Sequence, residues 1–236
     1  MNRTILSVDA SQRRTVLALA RGPVVFDRVV EHAEVRDREP FWEELQSLCR
    51  EAAVDPWQIE AVAVALGPGG FTGLRVSIAF AKAFALAREV PLIGLGSAAV
   101  FAASDAARGG RGPWLVALAS KAGCAWCARV TRGDDGGFAE EAGMVVDAAE
   151  FLPRISAVVA AGGALLSDEH LAPELAEVAR AADARVRPIE TDPCALAALA
   201  HLAHARGSFR DPVVLGPVYP REPEAVTKWR ERRLPK

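Results

Sequence analysis

Between Ala61 and Ala87 the chain reads AVAVALGPGGFTGLRVSIAFAKAFALA, and this stretch constrains the fold more than any other. Ala61–Leu66 has the length and composition of a buried strand. Gly67-Pro68-Gly69-Gly70 then interrupts regular structure. From Phe71 to Ala87 the polar residues Thr72, Arg75 and Lys82 share one narrow face, and only Ser77 lies elsewhere. A helix apolar nearly all round needs cover on more than the one side that a sheet provides. The loop itself admits two readings. Backbone N–H groups at a helix N-terminus stabilise anions, which makes Gly67, Gly69, Gly70 and Thr72 candidate phosphate contacts. The other reading is a tight strand-to-helix turn. No Lys-Ser/Thr follows the last glycine, so the loop is neither a Walker loop nor a dinucleotide fingerprint.

The rest of the chain repeats strands and helices in alternation, the pattern of an α/β layered fold. ILSVDAS (Ile5–Ser11) reads as a buried strand ending in an acid and a hydroxyl. TVLALARG (Thr15–Gly22) and PVVFDRVV (Pro23–Val30) complete an antiparallel meander with Gly22-Pro23 at the turn. A helix starts near Pro40, with Phe41, Trp42, Leu45, Leu48, Cys49 and Ala52 on one wide stripe. After the glycine loop and its helix comes the strand VPLIGL (Val90–Leu95). WLVALASKAGCAWCARVTRG (Trp114–Gly133) then echoes Ile5–Gly22, which predicts a duplicated architecture. Asp192–Gly207 carries an Asp N-cap, Pro at the first helical position and Gly past the end.

With 236 residues, 51% hydrophobic and 25% charged, the chain can bury a real core. A net charge of −2 argues against a dedicated nucleic-acid binder acting alone. The apolar run at the N-terminus is too short for a secretion signal, and four cysteines are few, so reduced thiols and a cytoplasmic location are expected. The Ile59–Ala87 segment contains the glycine loop, Arg75 and Lys82, which a membrane span would not tolerate.

Asp9 and Ser11 are the candidate metal and phosphate contacts at the end of the first strand, against the simpler reading of a turn carboxylate. The repeat has Leu118-Ala119-Ser120 where a second acid would serve a phosphoryl-transfer site, which weakens that reading. Cys124-x-x-Cys127 has redox or half-zinc-site spacing, but it falls in an expected strand with no complementary ligand pair. His201 and His204 lack a third ligand. The terminal TKWRERRLPK (Thr227–Lys236) is basic around one Trp and is either an RNA-phosphate contact or a solvated tail.

ALGPGGFTGLRVSIAFAKAFA resembles the TsaB family signature. ILSVDAS, PLIGLGSAAVFA and PVYPRE are similar to that family's first strand, next segment and C-terminal motif, in the same order. The resemblance implies an α/β, actin-like (ASKHA) duplicated fold of two lobes, each with a mixed sheet flanked by helices. The lobes are expected at 1–105, completed by the helix at 192–207, and at 106–191, with a proline-broken basic tail at 217–236. It implies a cytoplasmic, non-catalytic partner of the TsaD-type threonylcarbamoyltransferase in making N6-threonylcarbamoyladenosine beside the tRNA anticodon, with a TsaE-type ATPase in the larger complex. A homodimer in isolation is the variant of that role. An ATP-using transferase holding phosphate on Asp9, Ser11 and the glycine loop is the alternative; otherwise no cofactor is expected. Carried over by position, the interface falls on Phe41, Trp42, Leu45, Leu48 and Cys49 of the first helix and Arg75, Ser77, Ile78 and Lys82 of the second. Gly70, Ser77, Pro40, Ala119, Lys121 and Cys124 depart from the family pattern. The second-lobe departures put a nucleotide role there in doubt. The family's glycoprotease-like (M22) label finds no support, since the His-x-x-x-His motif of TsaD is absent.

Overall fold

The computed structural model describes residues 3–31, 40–220 and Trp229. Two units of the same order follow one another. The first runs β1 (Thr4–Asp9), β2 (Arg14–Arg21), β3 (Val24–Glu31), α1 (Pro40–Glu51), β4 (Ala61–Ala65), α2 (Phe71–Arg88), β5 (Leu92–Leu95) and α3 (Ser97–Ala107). The second runs β6 (Trp114–Ala119), β7 (Ala125–Arg132), β8 (Phe138–Glu140), β9 (Met144–Val146), α4 (Ala148–Ala160), β10 (Ala164–Ser167), α5 (Pro173–Ala181), β11 (Val186–Pro188) and α6 (Pro193–Ala205). β9 is the one insertion into the repeated order.

The first sheet has the order β3-β2-β1-β4-β5, and the second β11-β10-β6-β7-β8 with β9 also on β7. In each, an antiparallel hairpin meets two parallel strands: Ile5 faces Ala20 of β2 and Ala61 of β4, and Leu115 faces Arg129 of β7 and Leu165 of β10. The central strands β1 and β4 are buried throughout: β4 reads as a continuous apolar run, and in β1 the polar Thr4, Ser7 and Asp9 are buried with their apolar neighbours.

The helices stack these sheets into five layers. α1 and α2 cover the outer face of the first sheet, with Leu48, Cys49 and Phe80 packed on Leu6, Val8, Leu17 and Leu19. α4 and α5 cover the outer face of the second, with Phe151, Ile155 and Leu175 on Leu115 and Leu165. Between the sheets lie α3 and α6, and each packs mainly on the sheet of the unit it does not end, with Val100 of α3 also joining the first sheet's cluster. Leu196 and Ala200 of α6 pack on Ile5, Val16 and Ile93 of the first sheet. Ala98, Phe101 and Ala102 of α3 pack on Trp114, Val116 and Leu118 of the second. A division at residue 105 along the chain therefore separates α3 from the sheet that buries it. The exchange of last helices gives the two units one shared interior.

Local signals set the element ends. The Asp192 carboxylate accepts from Ala195 N–H at 2.8 Å with Pro193 at the first helical position, as expected from sequence. Gly207 follows α6 with φ +66°, a left-handed backbone that glycine adopts at no steric cost. No helix among the described residues is long and apolar enough to cross a membrane.

Candidate interaction face and interlobe cleft

The glycine loop is packed against the turn that follows β1. A Cβ on Gly69 would lie 2.0 Å from the Ser11 carbonyl oxygen, and one on Gly73 2.3 Å from that of Ala10. The Ser11 carbonyl accepts from the N–H of Gly70, the N-cap of α2, at 2.7 Å. The chain's own backbone thus meets that N–H. Gly67 adopts φ +97°, and both its N–H and its carbonyl bond to Ser97 at the start of α3. The Leu66 carbonyl accepts from Val218 N–H at 2.7 Å. The loop is a junction of four segments, and its glycines are required by close approach of backbone to backbone. Thr72 lies exposed one turn outside it.

Asp9 is buried, and both carboxylate oxygens are engaged: Oδ1 accepts from Ser11 N–H at 2.9 Å and Oδ2 from the Thr191 hydroxyl at 2.6 Å. Ser11 is buried, and its hydroxyl has no hydrogen-bond partner. Asp9, Ser11, Gly67, Gly69 and Gly70 are therefore brought together in space, and their contacts are to one another, to Thr191 and to Ser97.

The helix pair divides sharply. Phe41, Leu48 and Cys49 of α1 and Ser77 and Ile78 of α2 are buried within the chain, so the carried-over reading of these five as contact residues is corrected. They hold the two helices on the first sheet, and Ser77 turns its hydroxyl back to the Leu74 carbonyl. Leu45 packs half-buried on the same cluster. Exposed residues of the pair include Trp42 at 48% on α1, Phe71 at 54% at the start of α2 and, along α2, a stripe of Thr72, Arg75, Ala79, Ala83 and Leu86, the last at 57%. These positions recur every three or four residues and so share one face. The alternation between buried and open positions explains why α2 reads as apolar nearly all round: one side lies on the sheet and another faces out.

Arg75 and Lys82 have partners inside the chain. Arg75 lies over the Phe71 ring with its guanidinium carbon 3.8 Å from the centroid, and its Nε–H donates to the Tyr219 hydroxyl at 2.8 Å. The Lys82 ammonium donates to the carbonyls of Leu215 and Val213 at 2.8 and 3.3 Å. The segment from 213 to 219 is thereby fastened along α2. The proline-broken basic tail expected from 217 is thus held at Val218 and Tyr219, and the loose stretch expected after Glu222 lies, apart from Trp229, outside the described residues. The lone tyrosine was the available signal, since a phenol beside an apolar helix needs a donor or an acceptor.

Between the lobes two adjoining cavities, of about 240 and 360 Å³, are lined by Arg13, Asp168, Glu169, His170, Glu190 and Thr191, among others. Arg13 spans the opening to Glu169 at 3.0 Å and to His170 at 2.9 Å. At the end of β6, where Ala119 stands, the carboxylate of Asp168, the residue after β10, accepts the Ala119 N–H at 2.8 Å. Sequence reasoning missed Thr191 and Asp168, because their partners lie 182 and 49 residues away.

The remaining motifs are placed as follows. Cys124 lies in the turn before β7, outside the strand expected for it, and Cys127 is buried within β7. Burial pushes the Cys127 thiol up to about 12. Burial holds His201 below the usual imidazole range, and His204 packs edge-on against Phe209. Among the described residues no three His, Cys, Asp or Glu side chains converge as a metal-holding group.

The architecture defines the class first: two mixed sheets with flanking helices form an α/β actin-like duplicated fold. The chain superimposes on a Pseudomonas aeruginosa protein described as similar to the peptidase YeaZ with a TM-score of 0.72 and 18% identity, over 93% of this chain and 100% of that one. The TsaB protein of Bacillus subtilis, a tRNA threonylcarbamoyladenosine biosynthesis protein, is 27% identical over 101 residues, 43% of this chain and 44% of that protein. The TsaB protein of Escherichia coli is 33% identical over 78 residues, 33% of this chain and 34% of that protein. The family model of TsaD, tRNA N6-adenosine threonylcarbamoyltransferase, matches residues 31–133. A transferase of that name from Nitratidesulfovibrio vulgaris is 52% identical over 48 residues, 20% of this chain and 13% of the enzyme. The matches thus span less than half the length of these curated relatives.

Proposed function

We propose that this chain is a non-catalytic subunit of tRNA N6-threonylcarbamoyladenosine synthesis that binds and supports a TsaD-type transferase through the open face of α2. The names of the TsaB relatives support the pathway. The observation that carries the partner reading is the placing of the exposed stripe. Thr72, Arg75, Ala79, Ala83 and Leu86 lie in the region, 31–133, that the transferase model matches. A helix face shared by two related proteins can pair about a pseudo-two-fold axis, as identical faces do in an isologous dimer. Ala79 and Ala83 allow close approach, and Trp42 and Leu86 offer apolar area at either side. The same face would serve a second copy of this chain, so self-association and transferase binding compete in this reading. A TsaE-type ATPase and the tRNA would join through the complex.

In the alternative of an ATP-using transferase, Asp9, buried and already accepting from the Ser11 N–H and the Thr191 hydroxyl, would use its remaining lone pairs for a metal ion or the metal's water. Calorimetry with Mg-ATP on wild type and Asp9→Ala tests it directly: micromolar binding lost in the variant would favour the enzyme. The partner reading is tested by Ala83→Arg. The variant should keep its melting temperature, because exposed helix positions change stability by about 0.5 kcal/mol or less, while co-purification with the TsaD-type protein is lost. Retained binding at wild-type affinity would overturn the assignment of this face. Leu45→Arg is the poorer test, since Leu45 packs on the core cluster beneath α1.

A further inference from the structure

Thr191 lies in the second unit, on the linker that leads from β11 into α6, and lines the larger cavity between the lobes. Three hydrogen bonds run from it in series. Its hydroxyl donates to Asp9 Oδ2 at 2.6 Å, Asp9 Oδ1 accepts from Ser11 N–H at 2.9 Å, and the Ser11 carbonyl accepts from Gly70 N–H at 2.7 Å. Gly70 is the N-cap of α2. Asp9 and Ser11 are buried, so water is kept from the middle of the series, while Thr191 is half-buried and Gly70 exposed at its two ends. Gly69 lets the Ser11 carbonyl come this close, because any side chain there would meet it at 2.0 Å. The body of α2 is held by the packing of Leu74, Ile78, Ala81 and Ala85. Its first turn, which carries Thr72 and Arg75, starts from the Ser11 carbonyl.

We infer that Thr191 is a positioning residue for the first turn of α2, acting through the Asp9 carboxylate and the Ser11 peptide. The second unit thereby sets the open face of a helix in the first. Only the partner-binding part rests on the function proposed above.

The test uses the full chain as wild type, Thr191→Val and Thr191→Ser. Amide hydrogen exchange is read at Ser11 and Gly70, and affinity for the TsaD-type protein by calorimetry. Thr191→Val should speed exchange at both amides at least about tenfold and weaken partner binding by about threefold to tenfold. Thr191→Ser, which keeps the hydroxyl, should restore both. Faster exchange confined to 189–193, with Gly70 at its wild-type rate, would overturn the relay. Faster exchange at Gly70 with unchanged affinity would overturn the positioning role and leave the partner reading intact. The partner reading fails separately, through Ala83→Arg. Should Thr191→Val not fold, wild type alone decides: Ser11, Gly70 and Asp192 amides must open as one unit with a common denaturant slope, and separate slopes would refute the link.

Discussion

Gly69 and Ser11 are in backbone contact, with room at Gly69 for a hydrogen atom and for nothing larger. A methyl group there would meet a carbonyl that is itself bonded to Gly70 N–H, so no side-chain rotation relieves the clash. Gly69→Ala should cost about 3 kcal/mol, lowering the melting temperature by about 6–12 °C. Gly70 has only the Ser11 oxygen near its Cβ direction, at 3.8 Å, so Gly70→Ser should melt within a degree or two of wild type. Thermal unfolding of the pair checks both. Equal losses would mean that the loop is not tightened at Gly69 in particular.

Asp105 of α3 is buried and receives the Trp114 indole N–H at 2.8 Å and the Arg187 guanidinium at 2.9 Å. It ties one end of α3 to β6 and β11 at once. Asp105→Ala leaves a buried indole donor and a partly buried cation without an acceptor, which should cost about 3 kcal/mol. Denaturant melts monitored by Trp fluorescence would show it. A loss under about 1 kcal/mol would mean that Arg187, which is partly exposed, finds full compensation in water.

Glu140 of β8 reaches across to α3, where its carboxylate accepts the Ala99 N–H at 3.2 Å. Burial raises its pKa above the ordinary glutamate value, and the bond from Ala99 offsets this only in part. A group whose folded pKa is raised gives its stabilisation fully below the unfolded pKa and loses it as pH rises through the folded value. Wild type should therefore lose stability relative to Glu140→Gln as pH climbs from about 4.3, the ordinary value, toward neutrality. Melting temperatures of the two proteins between pH 4 and 7 provide the measurement. A difference that moves the other way would show the helix-end bond dominating the burial.

The four cysteines should separate by access and ionisation. Cys194 is exposed and Cys124 half-exposed, whereas Cys49 and Cys127 are buried; burial raises the thiols of Cys49, Cys127 and Cys194 alike, so access decides between them. With a pKa near 12, about one Cys127 in ten thousand is thiolate at pH 8. Alkylation of the native protein at pH 8, followed by mass spectrometry, should label Cys194 and Cys124 first. Early labelling of Cys127, or a disulfide between Cys124 and Cys127 under mild oxidation, would contradict this placement.

The order of elements was legible because it rests on local physics. Continuous apolar runs at Ile5–Asp9 and Ala61–Leu66 gave buried strands, Asp192-Pro193 gave a helix start, and the 109-residue echo gave the duplication. Which residues of a helix lie open was not legible. On α2, Ser77 is buried and Ala83 exposed, against any ranking by polarity, because the sheet beneath fixes the rotation of the helix. Phe41 and Trp42 are adjacent and equally aromatic, yet one is core and the other half-exposed. The destination of α3 was also hidden, since its apolar faces would suit either sheet. By itself the sequence determined the opening meander, the two helices and two strands around the glycine loop, the last helix and the echo that points to duplication, because propensity, period and backbone freedom act within a few residues. Only the tertiary structure decided that Asp9 would answer to Thr191, that Tyr219 would answer to Arg75 and that α3 and α6 would trade sheets. The two side-chain pairings join positions 182 and 144 residues apart, and the helix exchange chooses between alike surfaces, so only the packed interior distinguishes them.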